Sequence, residues 1–172
     1  MDFLRYLVLI LILSCSTSIG FLLSKKYSDR LRELNTIDKL INIMQNKIKF
    51  TRMPLKEILQ EISSIKENIE ISDLFYKVSK KLEIKTTEDA WNEVLEEKKI
   101  SLNLKNEDIN LIKSLGNNLG KTDIEGQMSG INQFSTLLKV QIKEAEREKS
   151  KNEKMYKSLG TIIGLALVII LI

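Results

Sequence analysis

Residues 6–24 read YLVLILILSCSTSIGFLLS, nineteen consecutive uncharged residues in a chain of 172. As an α-helix they span about 28 Å at about 1.5 Å per residue, close to the ~30 Å hydrocarbon core of a bilayer. A second run, SLGTIIGLALVIILI, occupies residues 158–172. It reaches only about 22 Å, a mismatch that local bilayer thinning or snorkelling of Lys157 can absorb. Both runs are predicted to be transmembrane helices. A buried core helix is the rival reading of the second.

Two other readings compete for the N-terminal run. A cleaved signal peptide would use Ser16-Thr17-Ser18 as its small-residue site. Against this, Ile19-Gly20-Phe21-Leu22-Leu23 prolongs the apolar run, Asp2 offsets Arg5, and the basic flank follows the run. Ile12-Leu13-Ser14-Cys15 resembles a bacterial lipoprotein box, with Leu and Ser fitting poorly before the cysteine. Otherwise Cys15 is a small apolar residue within a membrane helix.

Between the runs the chain changes character. Residues 24–157 are 35% hydrophobic and carry 48 of the 50 charged residues. There is no His, one Cys, one Pro and seven Gly. Without His the usual general base near neutral pH is missing, which excludes Ser-His-Asp triads, Cys-His pairs and His-containing zinc sites. One Cys allows no internal disulfide and no thiolate cluster. So few turn residues argue against an all-β sandwich and for helices.

Basic residues set the expected topology. Lys25, Lys26, Arg30 and Arg32 follow the first run. Lys143, Arg147, Lys149, Lys151, Lys154 and Lys157 precede the second. On the other side stands only Arg5 with the N-terminal amine. The charged body is therefore expected in the cytoplasm, with both termini outside.

Helical periodicity dominates the body. Leu31, Leu34, Ile37, Ile41, Met44 and Ile48 form one stripe, directly continuing the first membrane helix. Residues 24–53 carry a net charge of +5, suited to anionic headgroups or simply to a solvated outer face. Pro54 breaks this helix and is placed to start the next at its first position, with Leu55, Ile58, Leu59, Ile62, Ile65 and Ile69. Ser72 or Asp73 is expected to cap a helix carrying Leu74, Phe75, Val78 and Leu82. Thr86 or Thr87 would cap one carrying Trp91, Val94 and Leu95, and Asn106 one carrying Ile109, Ile112 and Leu115. A turn over residues 115–121 follows. Thr122 or Asp123 then caps a sixth helix with Ile124, Met128, Ile131, Phe134 or Ser135, Leu138, Ile142 and Ala145. Nothing breaks it before Lys157, so it is expected to run into the second membrane helix; a flexible charged linker over 144–157 is the alternative. Six amphipathic helices with short connections describe a bundle.

Several motifs carry less than their appearance suggests. Gly116-Asn117-Asn118-Leu119-Gly120-Lys121-Thr122 resembles a phosphate-binding loop, but three residues separate its first Gly from Gly-Lys-Thr where the motif needs four, and a helix precedes it rather than a strand. It reads as a helix–helix turn. The carboxylates Glu67, Glu70 and Asp73, and Glu88, Asp89, Glu93, Glu96 and Glu97, lack calcium-loop spacing and read as solvated faces. Residues 54–99 carry −3, a surface bias that could also face a basic partner. Trp91 reads as core, or else as an interface anchor. Positive charge concentrates beside the membrane without interleaved aromatics, so nucleic acid is not an expected partner.

Three stretches together resemble the stage III sporulation protein AB family of endospore-forming bacteria. They are Thr51-Arg52-Met53-Pro54-Leu55 leading into Glu57-Ile58-Leu59, Ala90-Trp91, and, most specifically, Leu115-Gly116-Asn117-Asn118-Leu119-Gly120-Lys121-Thr122-Asp123 followed by Gln127. The resemblance implies an all-α protein: a six-helix cytoplasmic bundle (residues 25–150) between an N-terminal transmembrane helix (1–24) and a juxtamembrane segment with a C-terminal one (151–172). It implies similarity to the F-type inner-membrane platform of type II secretion, although with one bundle and two spans. It further implies a non-enzymatic component, without cofactor or small-molecule substrate, of a channel joining mother cell and forespore, in the mother-cell membrane facing the forespore. Its partners would be lipid, other stage III sporulation proteins including the AA ATPase, and, left open, further copies of itself. Gly116, Leu119, Gly120, Asp123 and Gln127 are the candidate partner-binding residues. A membrane-anchored helical scaffold outside sporulation, or an enzyme subunit with no active site of its own, are the alternatives.

Overall fold

The computed structural model describes residues 2–51, 53–120 and 122–171. Arg52 of the first resembling stretch, Lys121 of the turn and Ile172 of the second run lie outside the described residues, as does the side chain of Arg5. Six helices follow in order: α1 Asp2–Thr51, α2 Leu55–Ser63, α3 Ile69–Lys81, α4 Thr87–Lys98, α5 Asn106–Asn118 and α6 Ile124–Leu171. No strand occurs among the described residues. Both α1 and α6 are long and apolar enough to cross a membrane. Ile162, Ile163, Leu165, Ile169 and Ile170 are exposed, which removes the buried-core reading of the second run. Residues 144–157 are helical throughout, which removes the linker reading.

Two compact units divide the chain: Met1–Leu31 with Glu144–Ile172, and Arg32–Lys143.

The second unit is the bundle. Its core is built from the predicted stripes: Leu34, Ile37, Ile41, Met44 and Ile48 of α1, Ile58, Leu59 and Ile62 of α2, Leu74, Phe75 and Val78 of α3, Trp91, Val94 and Leu95 of α4, Ile109, Ile112 and Leu115 of α5, and Ile131, Phe134 and Leu138 of α6 are all buried. Trp91 is fully buried, edge-on to Phe75 with ring centroids 5.6 Å apart.

Three expectations need correction. α2 stops at Ser63, and α3 begins at Ile69 rather than after Ser72 or Asp73. Asn68 caps it, its side-chain oxygen accepting from the backbone N–H of Glu70 (3.0 Å) and Ile71 (3.2 Å). Ile65 and Ile69 continue the apolar spacing of α2 across this break, and Ile69 is exposed. At α5, Asn106 is the first helical residue; the Asp108 carboxylate reaches back to the Lys105 N–H (2.8 Å) and closes the helix start instead. Gly116 lies inside α5, which continues to Asn118, so the turn begins later than expected.

Ion pairs clothe the bundle. Lys98 bridges Glu70 (2.7 Å) and Asp73 (2.6 Å). This hydrogen bonding holds both carboxyls below their ordinary values of 4.5 and 3.8. Groups depressed on folding contribute stability that is complete above their unfolded values and lost as pH falls through the folded ones. Thermal unfolding of the full chain, followed from about pH 5 down to about pH 3, is expected to show a falling midpoint that a Lys98→Met variant flattens. An equal fall in that variant would refute the assignment.

Candidate functional site

Three helix starts meet at one end of the bundle. Pro54 precedes α2 with φ −56° and ψ 140°, and its carbonyl accepts from Glu57 N (3.0 Å) and Ile58 N (3.1 Å). It thus caps α2 rather than occupying its first position. Thr86 caps α4 by accepting from Asp89 N (3.2 Å). Asp123 caps α6 by accepting from Gly126 N (2.9 Å). Lys56 pairs with Glu83 at 3.0 Å, tying the start of α2 to the segment after α3. That bond holds the Glu83 carboxyl below its ordinary value.

Gly120 closes this end. Its φ of +76° lies in the left-handed region, where glycine is favoured. A β-carbon there would stand 3.0 Å from Thr87 Oγ1 and 4.0 Å from Leu55 Cδ2. The α5–α6 connection therefore lies on the starts of α2 and α4. Leu55, Lys56, Leu82, Lys85, Thr86, Thr87 and Gly120 line a shallow cavity of about 440 Å³. Three large apolar side chains at this end are solvent-exposed: Phe50 (73%), Ile84 (84%) and Ile124 (43%). The sequence reading placed Ile124 in the apolar stripe of the sixth helix, which its exposure corrects, and assigned Phe50 and Ile84 to no stripe.

The five candidate partner-binding residues separate. Gly116 and Leu119 are buried. A β-carbon on Gly116 would come within 2.7 Å of Trp91 Cβ, so the glycine lets α5 approach α4. Gly120 and Asp123 are exposed and Gln127 is half-buried. Gln127 donates from its side-chain amide to the Thr122 carbonyl (3.0 Å). Asp123 and Gln127 thus build the start of α6. Asp123→Ala is expected to cost about 1 kcal/mol by loss of the cap, with Asp123→Asn close to wild type. Denaturant unfolding checks this; equal losses in both variants would contradict the capping role.

The acidic clusters are neutralised by lysines. Lys81 pairs with Glu93 (2.9 Å) and Glu97 (2.6 Å), Lys85 with Glu93, and Lys113 with Glu96. No group of carboxylates suited to a metal ion occurs among the described residues.

The first unit has its own chemistry. Ser16 Oγ donates to the Gly160 carbonyl at 2.7 Å. A β-carbon on Gly20 would lie 2.6 Å from the Tyr156 carbonyl and 2.9 Å from Gly160 Cα; one on Gly164 would lie 2.9 Å from Leu13 Cδ1. Ser16 and Gly20, and Gly160 and Gly164, are small residues four apart, the pattern that lets membrane helices touch backbone to backbone. This spacing is legible in the sequence as Gly-Thr-Ile-Ile-Gly and was not among the motifs weighed. Beyond the seam, Tyr27 stacks on Tyr156 (centroids 5.8 Å apart) and Arg30 pairs with Glu148 at 2.8 Å. Lys157 lies 4.7 Å over the Phe21 ring and pairs with Glu153 at 2.6 Å, so its charge is held toward the polar end of the run.

The family model described as stage III sporulation protein AB matches residues 5–172. Stage III sporulation protein AB of Bacillus subtilis (strain 168) is 29% identical over 170 residues, covering 98% of this chain and 99% of that protein. A solved structure of stage III sporulation protein AB superposes with a TM-score of 0.67 at 23% identity, over 72% of this chain and 98% of its own. That structural likeness speaks for the fold.

Proposed function

The chain belongs to the stage III sporulation protein AB family, a sporulation protein with two membrane-crossing helices, and from that premise we propose that it is a non-enzymatic platform. In this reading it sits in the mother-cell membrane facing the forespore, with the bundle in the cytoplasm. There it couples a cytoplasmic ATPase, the stage III AA protein, to the membrane part of a secretion-like channel. No cofactor, nucleic acid or small-molecule substrate enters the scheme. Other stage III proteins and further copies of the chain are its remaining protein partners.

The observation that carries this reading is that three large apolar side chains at the end where three connections meet, Phe50, Ile84 and Ile124, are solvent-exposed. Exposed apolar side chains rimmed by polar ones suit protein contact. At the same end Lys56, Lys85, Thr86 and Thr87 line the cavity beside Gly120. Of the five residues singled out in the sequence, Gly120, Asp123 and Gln127 can serve this surface directly; Gly116 and Leu119 support it from within. Family membership sets aside a scaffold outside sporulation.

The test is genetic. A strain lacking the gene is expected to arrest after engulfment and to be restored by the wild-type gene. The Phe50→Asp, Ile84→Asp double variant should accumulate in the membrane yet fail to restore. A deletion that sporulates normally would reject the reading.

A further inference from the structure

The opposite end of the bundle, formed by the α2–α3 and α4–α5 connections, carries two of the most exposed apolar residues: Ile69 at 76% and Ile100 at 98%. They belong to one neighbourhood. Ser101 donates to Glu70 Oε2 at 2.9 Å, and Lys98 bonds the same carboxylate. Most acids at this end have internal partners, Glu70 and Asp73 with Lys98, Glu67 with Lys39, and the buried Glu33 with the backbone and side-chain amides of Asn103, both at 2.9 Å, while Glu107 in the first turn of α5 is exposed. Lys66, three residues before Ile69, and Lys99, next to Ile100, have no carboxylate within ion-pair distance among the described residues, Lys99 acting on Glu96 only from farther off. Two apolar side chains flanked by exposed lysines outside any close ion pair make the pattern that suits an anionic lipid surface, where the chains enter the interface and the ammonium groups meet phosphate.

Tethering favours lipid over a soluble partner. Glu33, which Asn103 grips, follows the apolar run 6–24 by nine residues. Whatever the arrangement, nine residues of chain reach at most about 30 Å. A surface held that near a bilayer meets it at high effective concentration.

We propose that this end rests on anionic headgroups, with Ile69 and Ile100 inserted and Lys66 and Lys99 on phosphate. The full chain would be reconstituted in phosphatidylcholine vesicles with and without phosphatidylglycerol, using lipids brominated on their acyl chains as quenchers. The native Trp91 is buried and serves as background. With phosphatidylglycerol, the added emission of Ile100→Trp is expected to be quenched and that of Ile84→Trp, at the other end, to be unaffected. Reversing charge with Lys66→Glu and Lys99→Glu should abolish the quench. The proposal is overturned if Ile100→Trp escapes quenching, or if Ile84→Trp is quenched equally. It is also overturned if the quench is the same without phosphatidylglycerol or after charge reversal. A blue shift growing with protein-to-lipid ratio without quenching would instead show contact between copies and would equally overturn it.

Discussion

Gly160→Leu is expected to separate the two membrane segments while leaving both inserted. Gly160 Cα and Gly20 stand so close that a β-carbon on either would lie 2.9 Å from the other's Cα, and one on Gly160 would also lie 2.9 Å from the Ser16 carbonyl. These obstacles are backbone atoms, which no rotamer change removes. A leucine must push the helices apart, and the Ser16–Gly160 hydrogen bond goes with them. In a bilayer, helix association rests on such close packing and on interhelical hydrogen bonds rather than on exclusion of water. Overpacking of this kind costs about 1–3 kcal/mol. The measurement is crosslinking of a Tyr27→Cys, Tyr156→Cys pair by a short bifunctional maleimide in a Cys15→Ser background. Yield should fall about tenfold for each ~1.4 kcal/mol lost from the seam. Ile170→Leu, on an exposed apolar face, is the control and should crosslink like the parent. Undiminished crosslinking in Gly160→Leu would refute the seam.

Trp91→Ala is expected to be the most damaging single change in the bundle. The indole is fully buried, lies edge-on to Phe75 and covers Gly116. Its removal forfeits transfer energy and leaves a cavity, together about 3–5 kcal/mol. Native domains have only about 5–15 kcal/mol in hand. The thermal midpoint of the bundle should fall by about 10–20 °C. Gly116→Val attacks the same contact from the other side, because its β-carbon would overlap Trp91, and should cost about 1–3 kcal/mol. The two losses should not add, since a small residue at 91 makes room for a larger one at 116. Strict additivity in the double variant would contradict the contact.

Much of the bundle was legible from spacing alone. Stripes such as Ile37, Ile41 and Met44, or Ile131, Phe134 and Leu138, became core because an apolar period near 3.6 can bury only one helix face. The same signal fails at boundaries. Ile62, Ile65 and Ile69 keep helical spacing across a break that the side chain of Asn68 makes, and periodicity does not register a capping hydrogen bond. Glycines were read least well. Gly116 looked like a turn residue and is instead the notch that receives Trp91, twenty-five positions earlier in sequence. Gly160 and Gly164 drew no reading of their own within the uncharged run 158–172, yet they form its contact face. A glycine acts through what comes near it, and that neighbour is absent from the local sequence. The candidate partner surface divided for a similar reason: the Leu-Gly-x-x-Leu-Gly pattern mixes buried packing positions with exposed ones, whereas Phe50 and Ile84 came into view only through their exposure.

Binding of the purified stage III AA ATPase to the full chain held in lipid nanodiscs tests the platform reading most directly. Wild-type chain should bind, and the Phe50→Asp, Ile84→Asp double variant, shown to be folded by circular dichroism, should bind at least about tenfold more weakly, a loss of ~1.4 kcal/mol or more. Failure of the wild-type chain to bind, or equal binding by the folded double variant, would contradict it.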